Sequence, residues 1–152
     1  MLEKILVPID SMKWDNTRNA VQVAMDFSQG CSIEGDIELI FLHVLQVKPR
    51  VPMSEKERLT EKKKEKIKED FKEIKEMCEE RGLKKVRTII EEGKPANTIV
   101  EKAQDEKIDM IVMGSGKLHD RSAGGRIHKF FYGSVTEEVI HEAPCSVLVA
   151  RP

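Results

Sequence analysis

Asp109-Met110-Ile111-Val112-Met113-Gly114-Ser115-Gly116 sets four apolar residues in a row and then runs straight into glycine. A strand with one face in water would alternate polar and apolar residues. This one does not, so both of its faces must be covered, as in a parallel sheet flanked by helices. Parallel neighbours need helical crossovers, and the sequence on either side supplies them. Upstream, Pro95 suits the first turn of a helix that turns Ile99, Val100 and Ala103 inward. Downstream, Ser134 to Glu142 is helical with Val135, Val139 and Ile140 facing in, and Ser146-Val147-Leu148-Val149-Ala150 is a terminal strand.

The same alternation extends to the start of the chain. Lys4 to Ile9 is an aliphatic strand ending at Asp10. Asn16 to Gln29 places Ala20, Val21, Ala24 and Phe27 on one helical stripe, with Asp15 as N-cap and Gly30 just past the end. Asp36 to Val44 is a second strand, and residues 45–53, with Pro49 and Pro52, form a loop. Ser54 and Glu57 have capping-box spacing, and the helix they open runs to about Arg81, where Gly82 stops it. Its interior is mostly Lys and Glu. The apolar stripe of Leu59, Ile67, Phe71, Ile74 and Cys78 is too irregular for a coiled coil, so one narrow face is buried. Val86 to Ile90 is the third strand. The order βαβαβαβαβ predicts an α/β domain over residues 1–152, with helices on both faces of a parallel sheet and right-handed crossovers.

Composition narrows the function. Among 152 residues, 26 Lys+Arg nearly balance 27 Asp+Glu, which argues against a basic surface made for nucleic acid. Charged residues reach 35%, well above the usual quarter or so, and the helix 54–81 carries much of that excess. No apolar run approaches the roughly 18 residues of a membrane span, and the N-terminus has no long apolar signal segment. Cys31, Cys78 and Cys145 are isolated thiols, consistent with a reducing, cytoplasmic setting and not with a metal or redox centre. His43, His119, His128 and His141 form no ligand motif.

In open parallel sheets, ligands sit beyond the carboxyl ends of the strands, where strand order reverses. Asp10, the residues after Val44, Gly93 and Gly114 all fall at such ends. The segment from Met113 to Thr136 is the most informative. Gly114, Gly116, Gly124, Gly125 and Gly133 let backbone N–H groups approach an anion, and a helix beginning at Gly133-Ser134 offers free donors and a positive dipole end. Ser134 and Thr136 add hydroxyls, and Lys117, Arg121 and Arg126 add charge. These are ingredients of a phosphate cradle, although a glycine loop before an ordinary capped helix has the same composition. Neither the P-loop spacing nor Gly-x-Gly-x-x-Gly is present. Asp10 could bind a metal, hold a ribose or adenine, react as a nucleophile, or cap the following loop. Met12 stands where a phosphatase-type second aspartate would be, so binding is the preferred reading.

Ile5-Leu6-Val7-Pro8-Ile9-Asp10-Ser11, Leu42-His43-Val44, Glu92-Gly93-Lys94-Pro95-Ala96, Asp109 to Ser115, Gly133 to Ile140 and Ala143 to Val149 resemble, in that order, the motifs of the universal stress protein family. The resemblance implies a three-layer, Rossmann-like (adenine nucleotide alpha hydrolase-like) fold, with an open five-stranded parallel sheet of order 3-2-1-4-5. It also implies a homodimer formed through the last strand, at Val147, Leu148 and Val149. Family members divide into ATP binders and non-binders. The binder pattern, carried onto this chain, implies a nucleotide site of Ile9, Asp10, Val44, Met113, Gly114, Gly133, Ser134, Val135 and Thr136, with Gly116 as a substitute glycine. The chain departs from that pattern at Lys117 and Ala123, where glycines are expected, and in an extended segment at Met12-Lys13-Trp14.

The sequence reading is therefore a dimeric stress-response protein that binds ATP or another adenine nucleotide. Mg²⁺ or Mn²⁺ would accompany the phosphates, and hydrolysis would be weak at most, since no general base is apparent. The competing reading is a non-nucleotide dimerisation or interaction module that meets an unknown protein partner through the charged helix. A third class is an enzyme on the same architecture, such as a nucleotidyl transferase or a flavin-linked carrier.

Overall fold

The computed structural model describes residues 2–31, 36–46, 52–116 and 133–151. The elements are β1 (Lys4–Pro8), α1 (Asp15–Gly30), β2 (Glu38–Leu45), α2 (Met53–Glu80), β3 (Val86–Glu92), α3 (Pro95–Asp105), β4 (Met110–Gly114), α4 (Ser134–Glu142) and β5 (Ser146–Ala150). The five strands form one parallel sheet of order β3-β2-β1-β4-β5, the order that the resemblance implies.

The period of two along each strand sorts the core into two layers. Ile5, Val7, Ile9, Leu39, Phe41 and Val112 face one side, where they meet Ala20, Val21 and Met25 of α1 and Ile67, Phe71 and Ile74 of α2. Leu6, Ile40, Leu42, Ile111 and Met113 face the other, against Ile99 and Ala103 of α3 and Val139 of α4. Among the described residues, no helix is long and apolar enough to cross a membrane.

The differences from the sequence reading lie at helix ends and on helix surfaces. Asp15 is the first residue of α1 and not its cap; Trp14 holds the N-cap position with no side-chain cap bond. Gly30 is the last helical residue. The capping box at Ser54 and Glu57 does not form, because Pro52 enters in an extended conformation and α2 begins at Met53. Ser54 is thereby drawn into the first turn, where its hydroxyl is past the capping position. Leu59 is 44% exposed, and residues 53–66 contribute nothing buried, so only the later half of α2 covers the sheet. Ile140, read as inward-facing, is 39% exposed.

The end of α2 at Gly82 follows the expectation. Gly82 has φ +72°, its N–H donates to Glu79 O (2.9 Å), and Leu83 N–H donates to Cys78 O (2.9 Å). That pair of bonds is a Schellman closure, and Leu83 completes it by packing on the core beside Cys78.

Candidate functional site

The chain runs outward from β1 to β3 on one side of the sheet and from β4 to β5 on the other, so strand order reverses between β1 and β4. The carboxyl ends of these two strands are built in different ways.

At the end of β1, Ile9 is buried and its N–H donates to Leu42 O at 2.8 Å. His43 Nδ1 lies 2.7 Å from Ile9 O. A carbonyl only accepts, so the imidazole carries its proton on Nδ1 and donates. Burial pushes the His43 pKa below its ordinary value of 6.5, against the raising influence of the Ile9 carbonyl, Asp10 and Asp70; Lys63 adds to the lowering. A neutral imidazole therefore braces the exit of β1, with Asp10 exposed just beyond it and half-buried Val44 following on β2. The next residues are tied to the helices. Met12 is buried, its N–H faces Asp70 Oδ2 of α2 (3.4 Å), and its carbonyl accepts from Arg18 Nη1 (3.0 Å). Arg18 also pairs with Glu73 at 2.8 Å.

At the end of β4 the backbone itself forms the wall. Met113 is buried, and Gly114 lies so close to α1 that a Cβ there would stand 2.9 Å from Asn16 O. Gly116 has φ +85°, and a Cβ on it would stand 2.7 Å from Gly133 Cα. Only glycine satisfies both the left-handed angle and the close approach. Gly133 N–H donates to Ser115 O (2.9 Å), and Thr136 Oγ1 donates to Gly114 O (3.0 Å). From the other side, Asn16 Nδ2 donates to the Gly116 carbonyl.

α4 starts against this loop with Gly133 at its N-cap and no side-chain cap. Its first internal bond runs from Glu137 N–H to Gly133 O (3.0 Å), which leaves the N–H groups of Ser134, Val135 and Thr136 without intrahelical acceptors. The Ser115 hydroxyl is buried with no hydrogen-bond partner among the described residues. Such a group costs stability unless a ligand or water completes it.

The structure thus brings Gly114, Gly116, Gly133 and Thr136 into direct contact at the end of β4, with Ser134 and Val135 in the first turn of α4 beside them. Ile9, Asp10, Val44 and Met113 stand at the carboxyl ends of β1, β2 and β4. Thr136 spends its hydroxyl on Gly114, so it joins α4 to β4 and is not a free donor. Lys117, Arg121, Gly124, Gly125 and Arg126 lie outside the described residues. Among the described residues, no cluster of three or more His, Cys, Asp or Glu side chains could hold a metal ion. A groove between α3 and α4 shares Ser134 with this helix start; its lining also holds His141 and four carboxylates, Glu101, Glu137, Glu138 and Glu142, whose charge repels phosphate.

Sequence reasoning missed Asn16, Ser115 and the brace from His43 to Ile9. Ser115 had a local signal, a hydroxyl set between two glycines at a strand end. Asn16 had none, since its partner lies 100 residues away.

An open parallel sheet of order 3-2-1-4-5 with helices on both faces defines an α/β domain of the doubly wound class. The profile of the Universal stress protein family matches residues 1–151, and the chain belongs to that family. A universal stress protein of Methanocaldococcus jannaschii is 34% identical over 157 residues, covering 99% of this chain and 83% of that protein. The structure of hypothetical protein MJ0577, solved as a test case for assigning biochemical function, is 31% identical and superposes with a TM-score of 0.81. It covers 100% of this chain and 97% of that one. Two further structures share the fold at 18% identity. One is a universal stress protein in complex with cAMP (TM-score 0.67, 97% and 96% covered). The other is an Arabidopsis thaliana family protein with AMP bound (TM-score 0.66, 98% and 91% covered).

Proposed function

We propose that the protein binds an adenine nucleotide, with ATP as the preferred ligand, at the switch point between β1 and β4. The observation that carries this reading is the start of α4: its first-turn N–H groups lack intrahelical acceptors, and the buried Ser115 hydroxyl beside them has no partner among the described residues. These groups fit a phosphate chain, which offers acceptor oxygens and negative charge to amide donors and to the positive end of a helix. The Gly114–Gly116 and Gly133–Thr136 backbone would hold the phosphates, with Ile9, Asp10, Val44 and Met113 around the adenosine. The AMP and cAMP held by proteins of the same fold agree with that ligand class.

Mg²⁺ or Mn²⁺ would accompany the phosphates and take most of its ligands from them and from water, as Mg²⁺ commonly does at phosphate sites. The protein acts as a switch that reports nucleotide occupancy, with weak hydrolysis at most. Among the described residues β5 lies at the sheet edge, paired with β4 alone. Pairing of Val147, Leu148 and Val149 with a second copy would cover that edge and give a homodimer. The second reading, a protein-interaction module, is favoured by residues 53–66 of α2, none of which is buried.

Calorimetry on nucleotide-free protein separates these readings. Saturable binding of ATP, tighter than that of AMP and altered by Mg²⁺, supports the switch. Equal binding of both would reduce the site to an adenosine pocket, and no heat from either would leave the interaction module.

A further inference from the structure

The Gly114–Gly116 loop touches two helices, and only one of them belongs to the site described above. On the α4 side it meets Gly133 and Thr136. On the α1 side it meets Asn16 twice: the Asn16 backbone limits the space at Gly114, and Asn16 Nδ2 donates to the Gly116 carbonyl. Gly116 holds φ +85° against Gly133, and the hydrogen bond to its carbonyl comes from the Asn16 side chain. The Gly116 carbonyl is also the group that a phosphate chain tolerates least nearby, because both present oxygens of negative charge.

We propose that Asn16 is a positioning residue for phosphate binding. Its amide holds the Gly116 carbonyl toward α1, away from the first turn of α4, and so keeps Gly116 seated against Gly133. This inference rests on the nucleotide reading above and adds to it a contact from the opposite layer of the sheet. α1 is itself firmly placed, because Ala20, Val21, Ala24 and Met25 are fully buried against the sheet. The clamp therefore hangs from a fixed helix, as a positioning residue must.

Asn16→Ala removes the donor, and Asn16→Asp keeps the shape while removing it. Calorimetry with ATP and with adenosine, beside amide exchange at Gly133, tests the role. The Gly133 N–H bond to Ser115 O reports whether the loop is still seated. Loss of one neutral hydrogen bond predicts about a tenfold weaker ATP affinity in Asn16→Ala, with adenosine unchanged within about twofold. Asn16→Asp should lose at least as much, and Gly133 exchange should quicken in both variants without nucleotide. A parallel loss for ATP and adenosine, or unchanged exchange at Gly133, overturns the proposal. If the unaltered protein binds neither ligand, the nucleotide reading fails and takes the phosphate role of Asn16 with it. Exchange at Gly133 then shows by itself whether the clamp exists.

Discussion

The two strand ends that face each other across the switch point use opposite means. At β1, side chains do the building: Ile9 is buried among core residues, and His43 reaches across from β2 to brace its carbonyl. At β4, backbone does it: Gly114 and Gly116 are pressed against Asn16 and Gly133 with no side chain between. The first end should be damaged by removing buried side-chain atoms, and the second by adding atoms at its glycines or by removing the Asn16 and Thr136 donors to its carbonyls. The difference also suits the proposed ligand, since an adenosine is gripped by shape and a phosphate chain by amide donors.

The largest effect is expected at β1. Ile9→Ala empties a buried position and should cost about 2–5 kcal/mol in denaturant unfolding. A loss below about 1 kcal/mol would mean that the β1 end is not held by its core. At β4, Gly116→Val forces a branched side chain onto φ +85° and into Gly133. It should cost about 1–3 kcal/mol in strain alone and weaken ATP binding far more than adenosine binding. If this variant is as stable as the parent, the backbone wall is looser than its geometry indicates. Thr136→Val keeps the shape and removes the donor to Gly114 O, a part-buried bond of 3.0 Å. Unfolding should register about 0.5–1.5 kcal/mol, the net worth of one such hydrogen bond.

The smallest effect is the pH dependence of the β1 brace. The folded pKa of His43 lies below 6.5, so above that pH the imidazole is neutral in both the folded and unfolded chain. Below it the unfolded chain takes up a proton first, and stability falls as pH falls toward the lowered folded value. Comparing unfolding at pH 7.5 and pH 5.5 should therefore show a larger loss for the parent protein than for His43→Gln. Equal losses would remove His43 from the brace.

How much of this was legible in the sequence follows the same division. The strands announced themselves because a strand covered on both faces cannot hide its aliphatic run, as Ile111-Val112-Met113 and Leu39 to Leu42 show. The glycine pairing was half legible. Gly114, Gly116 and Gly133 stood out as glycines, but the contact of Gly116 with Gly133 is a tertiary fact. Helix starts were read less well. Ser54 and Glu57 carry a cap signature that Pro52 overrides by starting α2 early, and Leu59 keeps helical spacing on a part of α2 that the sheet does not reach. Asn16 was illegible, because no local pattern distinguishes a first-turn asparagine that reaches a loop 100 residues on from one that faces water.

The central claim is that the backbone at the β4 end receives a phosphate chain while Asp10 and Val44, beside the braced end of β1, receive the adenosine. The most direct measurement is a titration of ¹⁵N-labelled protein with ATP and then with adenosine, following backbone amide shifts. Saturating shifts at Gly114–Gly116 and Gly133–Thr136 with ATP only, and at Ile9, Asp10 and Val44 with both ligands, are the predicted result. Shifts confined to the rest of the α3–α4 groove, at Asn97, Glu101, Glu138 and His141, or none with either ligand, would contradict it.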